Sequence, residues 1–264
     1  MSFFCNGLKI YRKKTQFKIQ KTRLFFSQYL KEKMKKIVVL TGAGISAESG
    51  IKTFRDAGGL WENHDVMEVA SIQGWEKNRE LMLRFYNDRR NALKDVQPNA
   101  AHKALAELES KYKVVIVTQN VDDLHERGGS SHIIHLHGEL NKMRSVLDDT
   151  QIYEVKEDIK LGDKAPDGYQ LRPHVVWFGE MVPMLGPAAV EVASADIIMV
   201  IGSSMQVYPA AGLVEHAQEG IPVYYIDPNP TINYELGRNN NLEVISEKAT
   251  IGVRRVVDEL MVKA

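Results

Sequence analysis

Five short runs of β-branched residues constrain this chain more than any other feature: KIVVLTGAG, KVVIVTQNVD, HIIHLHG, DIIMVIGSS and PVYYIDPNP, each ending in a loop of glycine, asparagine, aspartate or serine. Their apolar residues are continuous rather than alternating, the pattern of strands buried on both faces. Helical patterns lie between them. PNAAHKALAELESKY puts Ala101, Leu105 and Leu108 on one stripe, and ATIGVRRVVDELMVK does the same with Val253, Val256, Val257, Leu260 and Met261. Strands alternating with helices predict an α/β fold built on a doubly wound parallel sheet. Ligands of such sheets bind at the carboxyl ends of the strands, which here read GAG, QNVD, HG, GSS and DPN.

Two stretches break the alternation. One, from about 58 to 95, contains the helical pattern GWEKNRELMLRFYNDRRNALKD; the other, from about 141 to 175, is polar and turn-rich. Together they predict a small second domain made from two insertions, and 264 residues suffice for one large core with such a satellite.

Charge and cysteine content narrow the function classes. Basic and acidic residues balance at 34 each, yet residues 1–33 hold nine Lys/Arg against the single acid Glu32, leaving 25 basic and 33 acidic residues beyond. A mildly acidic body does not expect nucleic acid as a partner. No apolar run reaches the roughly 18 residues of a membrane span. Cys5 is the only cysteine, which excludes a disulfide framework and a thiolate metal cluster and fits a reducing cytoplasm. The basic segment 1–33 lacks the apolar core of a secretory signal. It reads as a disordered extension, or as residues ahead of a natural start at Met34, where MKKIVVLTG opens directly into a strand.

Three motifs sit at the ligand edge. TGAGISAESG follows a strand and is expected to open a helix, with Gly42, Gly44 and Ala47 spaced as in a pyrophosphate-binding turn. A plain structural turn is the alternative. The next clear strand is far downstream, so an ordinary dehydrogenase unit is not expected. TQNVDDLH exposes Gln119, Asn120 and Asp122, whose amides and carboxylate suit ribose hydroxyls and a carboxamide, or else an Asx turn and helix cap. In HIIHLHGEL, His135 and His137 share a face. A metal pair is one reading, but the other strand ends offer no further ligands; a satisfied core histidine suits His135, and His137, last before Gly138, lies nearest the ligand edge.

GAGISAESGIKTFR, TQNVDDLH, HLHGEL, VVWFGE and IGSS, in this order and spacing, closely resemble the sirtuins, the NAD-dependent protein lysine deacylases. The resemblance runs from Lys36 to the C-terminus. It implies a Rossmann-type large domain over residues 34–264 with the small domain inserted, NAD as cofactor, and acylated lysine side chains of proteins as substrate. By position, His137 matches the catalytic base and Asn120 acts with it. Gly42, Ala43, Gly44, Ser46, Phe54 and Arg55 match the loop cradling NAD. Gln119, Asn120, Val121 and Asp122 match residues around the nicotinamide ribose and carboxamide, and Gly202, Ser203, Ser204 and Ala249 the adenosine side. Val176, Phe178 and Gly179, in VVWFGE, match the groove where a substrate peptide adds as a strand.

Two departures stand out. Most sirtuins carry two cysteine pairs for structural zinc in the segment matching 141–175, and this segment has none. No metal is therefore expected, and Ile152, Tyr153, Val155, Ile159, Leu161 and Tyr169 are the candidates for packing in its place. IDPNP replaces the family's more usual Asn pattern, which assigns the ribose contact to Asp227.

A finer resemblance selects a branch. Tyr86 and Arg89 in FYNDRR fall on one helix face and match the Tyr-x-x-Arg of sirtuins that remove succinyl and malonyl groups, while Ala70 matches a small residue widening the acyl pocket. An arginine with a phenol recognises a carboxylate well; a solvated charged helix is the bland alternative. The resemblance implies transfer of the acyl group from lysine to ADP-ribose, with nicotinamide released and His137 taking a ribose hydroxyl proton. An ADP-ribosyltransferase using the same pocket and a non-enzymatic NAD-binding module are the competing readings.

Overall fold

The computed structural model describes residues 34–53, 60–61 and 64–264, and the compact unit considered below spans Lys36–Ala264. The strands run β1 (Lys36–Thr41), β2 (Leu60–Trp61), β3 (His64–Asp65), β4 (Lys113–Thr118), β5 (Ile133–His135), β6 (Gly138–Ser145), β7 (Ile152–Glu154), β8 (Leu171–Val175), β9 (Ile197–Ile201), β10 (Val223–Ile226) and β11 (Leu242–Ile245). The α-helices are α1 (Val66–Val69), α2 (Ile72–Lys77), α3 (Arg79–Leu93), α4 (Ala100–Leu108), α5 (Leu124–Gly128), α6 (Leu185–Ala193), α7 (Tyr234–Gly237) and α8 (Ala249–Lys263).

Six strands form one parallel sheet in the order β11-β10-β9-β1-β4-β5. Period-two alternation sends Ile37, Val39, Val114, Ile116 and Met199 to one face, where α4 and α8 contribute Leu105, Leu108, Val253 and Val256. Val38, Leu40, Val115, Val117, Ile198 and Val200 go to the other, under Ala188 and Val192 of α6. Both faces are covered, so the strands read as continuous apolar runs. This is a doubly wound, Rossmann-like sheet. The register aligns its carboxyl edge: Thr41 pairs with Thr118 and Ile201, and Ile201 with Ile226.

Opposite that edge lies a three-stranded antiparallel sheet, β7-β6-β8, with a third apolar cluster in which Met82, Leu83, Phe85 and Tyr86 of α3 meet Leu140, Ile159, Val175 and Trp177. The turn-rich reading of 141–175 missed this sheet. Of the residues expected to pack there, Ile159 is buried and Val155 joins the cluster, whereas Ile152, Leu161 and Tyr169 are exposed. Hydrogen bonds supply what apolar burial does not. Asn87 of α3 donates from Nδ2 to the Ile159 carbonyl (2.9 Å) and accepts from the Ile159 N–H (3.1 Å), and Asn91 Nδ2 donates to Asp158 (3.1 Å).

The segment after β1 also departs from expectation. TGAGISAESG forms two single-turn 3-10 helices, Ala43–Ile45 and Ala47–Ser49, ended by Gly50 in the left-handed region. No α-helix starts there because the backbone is drawn against the loop after β9: Gly44 N–H donates to the Gly202 carbonyl (2.8 Å). A Cβ on Gly44 would stand 2.5 Å from Gly202 Cα, and Gly202 itself has φ +59°. Chain-to-chain approach therefore requires these glycines before any ligand does. Among the described residues, no helix is long and apolar enough to cross a membrane.

Candidate active site

The carboxyl edge of the large sheet and the inner side of the small one enclose a cavity of about 1040 Å³. Every predicted site residue that the structure describes lines it. Gly42, Ala43, Gly44 and Ser46 come from the turns after β1; Gln119, Asn120, Val121 and Asp122 from the loop after β4; His137 from the turn between β5 and β6; and Gly202, Ser203, Ser204, Asp227 and Ala249 from the loops after β9 and β10 and the start of α8. Ala70, Tyr86, Arg89, Val176, Phe178 and Gly179 form the opposite wall. Phe54 and Arg55 lie outside the described residues.

The loop after β4 is tied down at each residue. Gln119 N–H donates to the Thr41 carbonyl (2.9 Å), and its Nε2 to Ser203 Oγ (3.1 Å). Asn120 Nδ2 donates to Ser46 Oγ (3.2 Å), and Ser46 Oγ donates to Asp122 Oδ2 (3.1 Å). Asp122 also accepts from the Leu124 N–H (3.1 Å), which starts α5. Burial raises the Asp122 carboxyl above its ordinary range, opposed by these hydrogen bonds.

His137 Nδ1 lies 3.0 Å from the Gln119 carbonyl oxygen. Burial lowers its pKa below the usual 6.5, with the Gln119 bond acting in the other direction. His135, one turn of the pleat earlier, does not line the cavity. It is largely buried and doubly partnered, by the Asn120 carbonyl (3.3 Å) and Glu126 (2.7 Å), in keeping with the satisfied histidine expected there.

Tyr86 is fully buried and its hydroxyl accepts from Trp177 Nε1 (2.9 Å). Burial raises its pKa, against the nearby Arg89 charge. The Phe178 N–H donates to the Ala70 carbonyl (2.8 Å), and the Val176 N–H to the His137 carbonyl (2.9 Å), so the wall around Ala70 is stitched to the turn that carries His137. Asp227 is buried and accepts from the Asn229 N–H (2.8 Å).

Sequence reasoning missed two residues that shape this wall. Trp177 packs on Trp75 and Tyr86, with ring centroids 5.3 and 6.1 Å away. Glu180 accepts from Arg172 at 2.6 and 3.1 Å and from the Trp177 N–H at 2.7 Å, closing the WFGE turn. Burial opposes ionisation of Glu180, but the Arg172 bonds and charge outweigh it and hold its carboxyl low. Only a charged pair eight residues apart, Arg172 and Glu180, hinted at this in sequence. Among the described residues, one group has the composition and spacing to hold a metal ion, Glu126, His135 and Glu139, and none of the three faces the cavity.

A doubly wound sheet whose carboxyl edge opens on a cavity lined by amides, hydroxyls, carboxylates and glycine backbone is a nucleotide-binding architecture. The sequence profile of the Sir2 family matches residues 42–209, and the chain belongs to that family. It is 55% identical over 228 residues to an NAD-dependent protein deacylase of Helicobacter pylori (strain J99), covering 86% of this chain and 96% of that one. An NAD-dependent protein deacylase of Bacteroides thetaiotaomicron is 50% identical over 229 residues, covering 84% and 97%. Among solved structures, a Sir2 homolog–NAD complex aligns with TM-score 0.77 at 39% identity over 90% of this chain and 94% of that one. A Sir2-p53 peptide-NAD+ structure aligns with TM-score 0.70 at 30% identity over 89% and 97%.

Proposed function

We propose that this chain is an NAD-dependent protein lysine deacylase that removes acetyl and, above all, succinyl and malonyl groups. One observation carries the reading: a largely buried His137, its Nδ1 on the Gln119 carbonyl, shares a cavity with the linked side chains of Asn120, Ser46 and Asp122. The names of the relatives support it. The donor set also suits NAD, because hydroxyls of Ser203 and Ser204, the amide of Asn120 and the carboxylates of Asp122 and Asp227 are groups that take up ribose hydroxyls and a carboxamide. Gly42, Ala43 and Gly44 add a wall of backbone with little side-chain bulk. Ser46, Gln119, Val121 and Ala249 complete the NAD-binding set, and Phe54 and Arg55 are assigned to it by motif alone.

When bound, NAD would supply an electrophilic ribose carbon for the acyl oxygen with nicotinamide as leaving group, and water would complete release of the lysine amine with the acyl group on ADP-ribose. His137 Nε2 accepts a hydroxyl proton in that reaction, ready at neutral pH because burial disfavours its cationic form. Asn120 acts beside it. Val176, Phe178 and Gly179 form the wall against which an extended peptide lies. Arg89 and Tyr86 receive the terminal carboxylate of a succinyl or malonyl chain, and Ala70 leaves room for it.

We read residues 34–264 as the deacylase unit, with 1–33 an extension outside it. The small domain works without zinc, held by the Asn87–Ile159 clasp in place of thiolates. The single cysteine supports a cytoplasmic setting. Nicotinamide release with acetyl, succinyl and malonyl peptides in parallel tests the reading. Release should depend on the acyl peptide and be more efficient with the acidic acyl groups; release no greater than without peptide would refute it.

A further inference from the structure

His135 and His137 grip successive carbonyls of one loop. His137 Nδ1 meets the Gln119 oxygen at 3.0 Å and His135 Nδ1 meets the Asn120 oxygen at 3.3 Å. The difference lies at the other ring nitrogen. His135 Nε2 stands 2.7 Å from Glu126 Oε1 of α5, away from the cavity that His137 lines. A carbonyl oxygen and a carboxylate both only accept. A neutral imidazole carries one N–H and satisfies one of them; the imidazolium satisfies both.

The surroundings favour that cation. Glu126 and Glu139 each place a carboxylate oxygen within 4.8 Å of one His135 ring nitrogen and of each other. Asp122 on the neighbouring loop adds a further acidic neighbour. Lys142 Nζ, 2.8 Å from Glu139, and the ring of His125 are the basic groups nearby. Lys142 pairs with Glu139 and also acts on Glu126, while both carboxylates favour the charged form of His135. Burial pulls the His135 pKa down, but the Glu126 hydrogen bond and charge outweigh it, and the net shift is upward. Burial pulls the His137 pKa down with no carboxylate to oppose it. Two histidines two residues apart are thus pushed in opposite directions.

The Asn120 carbonyl matters because Asn120 carries the cavity's polar chain, its Nδ2 on Ser46 and Ser46 on Asp122. We propose that His135, as an imidazolium anchored by Glu126, is a positioning residue that fixes the Asn120 peptide and so sets the affinity of the cavity for the nicotinamide half of NAD. The proposal rests on the NAD-using reading of the same cavity. It gives the enzyme an alkaline limb of its own. Acid inactivates by protonating His137, and alkali loosens NAD by deprotonating His135.

The test is calorimetric binding of NAD, without peptide, to the full chain and to Glu126→Gln and His135→Gln across the pH range in which histidines titrate. Carbon-13 spectra of the histidine rings follow His135 directly in the parent. Parent affinity should fall as pH rises through the His135 titration. Glu126→Gln retains an acceptor but no charge, and should move both the titration and the loss of affinity to lower pH. His135→Gln should bind NAD about tenfold more weakly at acid pH, the weight of one charge-assisted hydrogen bond, with no remaining alkaline fall. In turnover, the same variants should raise KM for NAD and largely spare kcat. Affinity indifferent to pH and to both substitutions would overturn the proposal, as would a His135 ring that titrates below its ordinary range. pH-dependent NAD binding without any deacylation would count against the deacylase reading and leave this inference standing.

Discussion

The Nδ1 nitrogen of His137 stands 3.0 Å from the carbonyl oxygen of Gln119. A carbonyl oxygen cannot donate, so Nδ1 carries the proton and, in the neutral ring that burial favours, Nε2 holds the lone pair. Orientation and tautomer are fixed together, as a general base requires. His137→Ala should lower deacylation by about 10²- to 10⁴-fold, the usual weight of general-base catalysis, and leave NAD binding largely intact. Activity near that of the parent protein would remove His137 from the base role.

Arg89 decides the choice of acyl group in this account. A charge-assisted hydrogen bond is worth roughly 1.5 to 3 kcal/mol, so Arg89→Met should depress desuccinylation by about 10- to 150-fold in kcat/KM. Acetyl has no terminal carboxylate, and deacetylation should be spared. An equal loss of both activities would make Arg89 a structural residue of its helix.

The small domain depends on Asn87, whose amide satisfies both backbone groups of Ile159 at 2.9 and 3.1 Å. Asn87→Ala would leave a buried N–H and carbonyl without partners, at a cost of about 2 kcal/mol or more, visible as a lower Tm. A strong chelator should leave the parent's Tm and activity unchanged. Stoichiometric zinc, lost together with Tm on chelation, would contradict a zinc-free domain.

Buried histidines set an acid limit to stability. Burial lowers the His102 pKa from 6.5 to about 4 and that of His125 well below 6.5. A histidine with a depressed folded pKa stabilises the fold in its neutral form, so its contribution is complete above the unfolded pKa and is lost as pH falls toward the folded value. For His102 alone the loss is on the order of 3 kcal/mol between pH 6.5 and 4. Asp122, whose pKa is raised by burial, acts in the opposite sense. Urea unfolding across this range should show a shallower decline for His102→Gln than for the parent. Parallel declines would show that His102 is not the group being charged.

What the sequence made legible follows from burial. Strands such as KIVVLT, covered on both faces, must be apolar throughout, and their loop ends announce the ligand edge. The small sheet was hidden because β6 reads GELNKMRS and alternates only partly between buried and exposed positions. β11 was missed for the same reason: its LEVI run lies at the sheet edge with Glu243 and Val244 exposed. The contacts that hold the small domain join Asn87 to Ile159 and Arg172 to Glu180. Neither polar pair has a hydrophobic period to announce it, and only the opposite charges of Arg172 and Glu180 gave any hint. A helix was expected after β1 because glycine spacing alone does not reveal that Gly44 rests on Gly202.

Stoichiometry distinguishes a deacylase from other NAD-using enzymes. Incubated with NAD and a succinyl-lysine peptide, the protein should release nicotinamide and free lysine peptide in equal amounts, with the succinyl group recovered on ADP-ribose by mass spectrometry. ADP-ribose attached to protein, with the succinyl-lysine left intact, would contradict it.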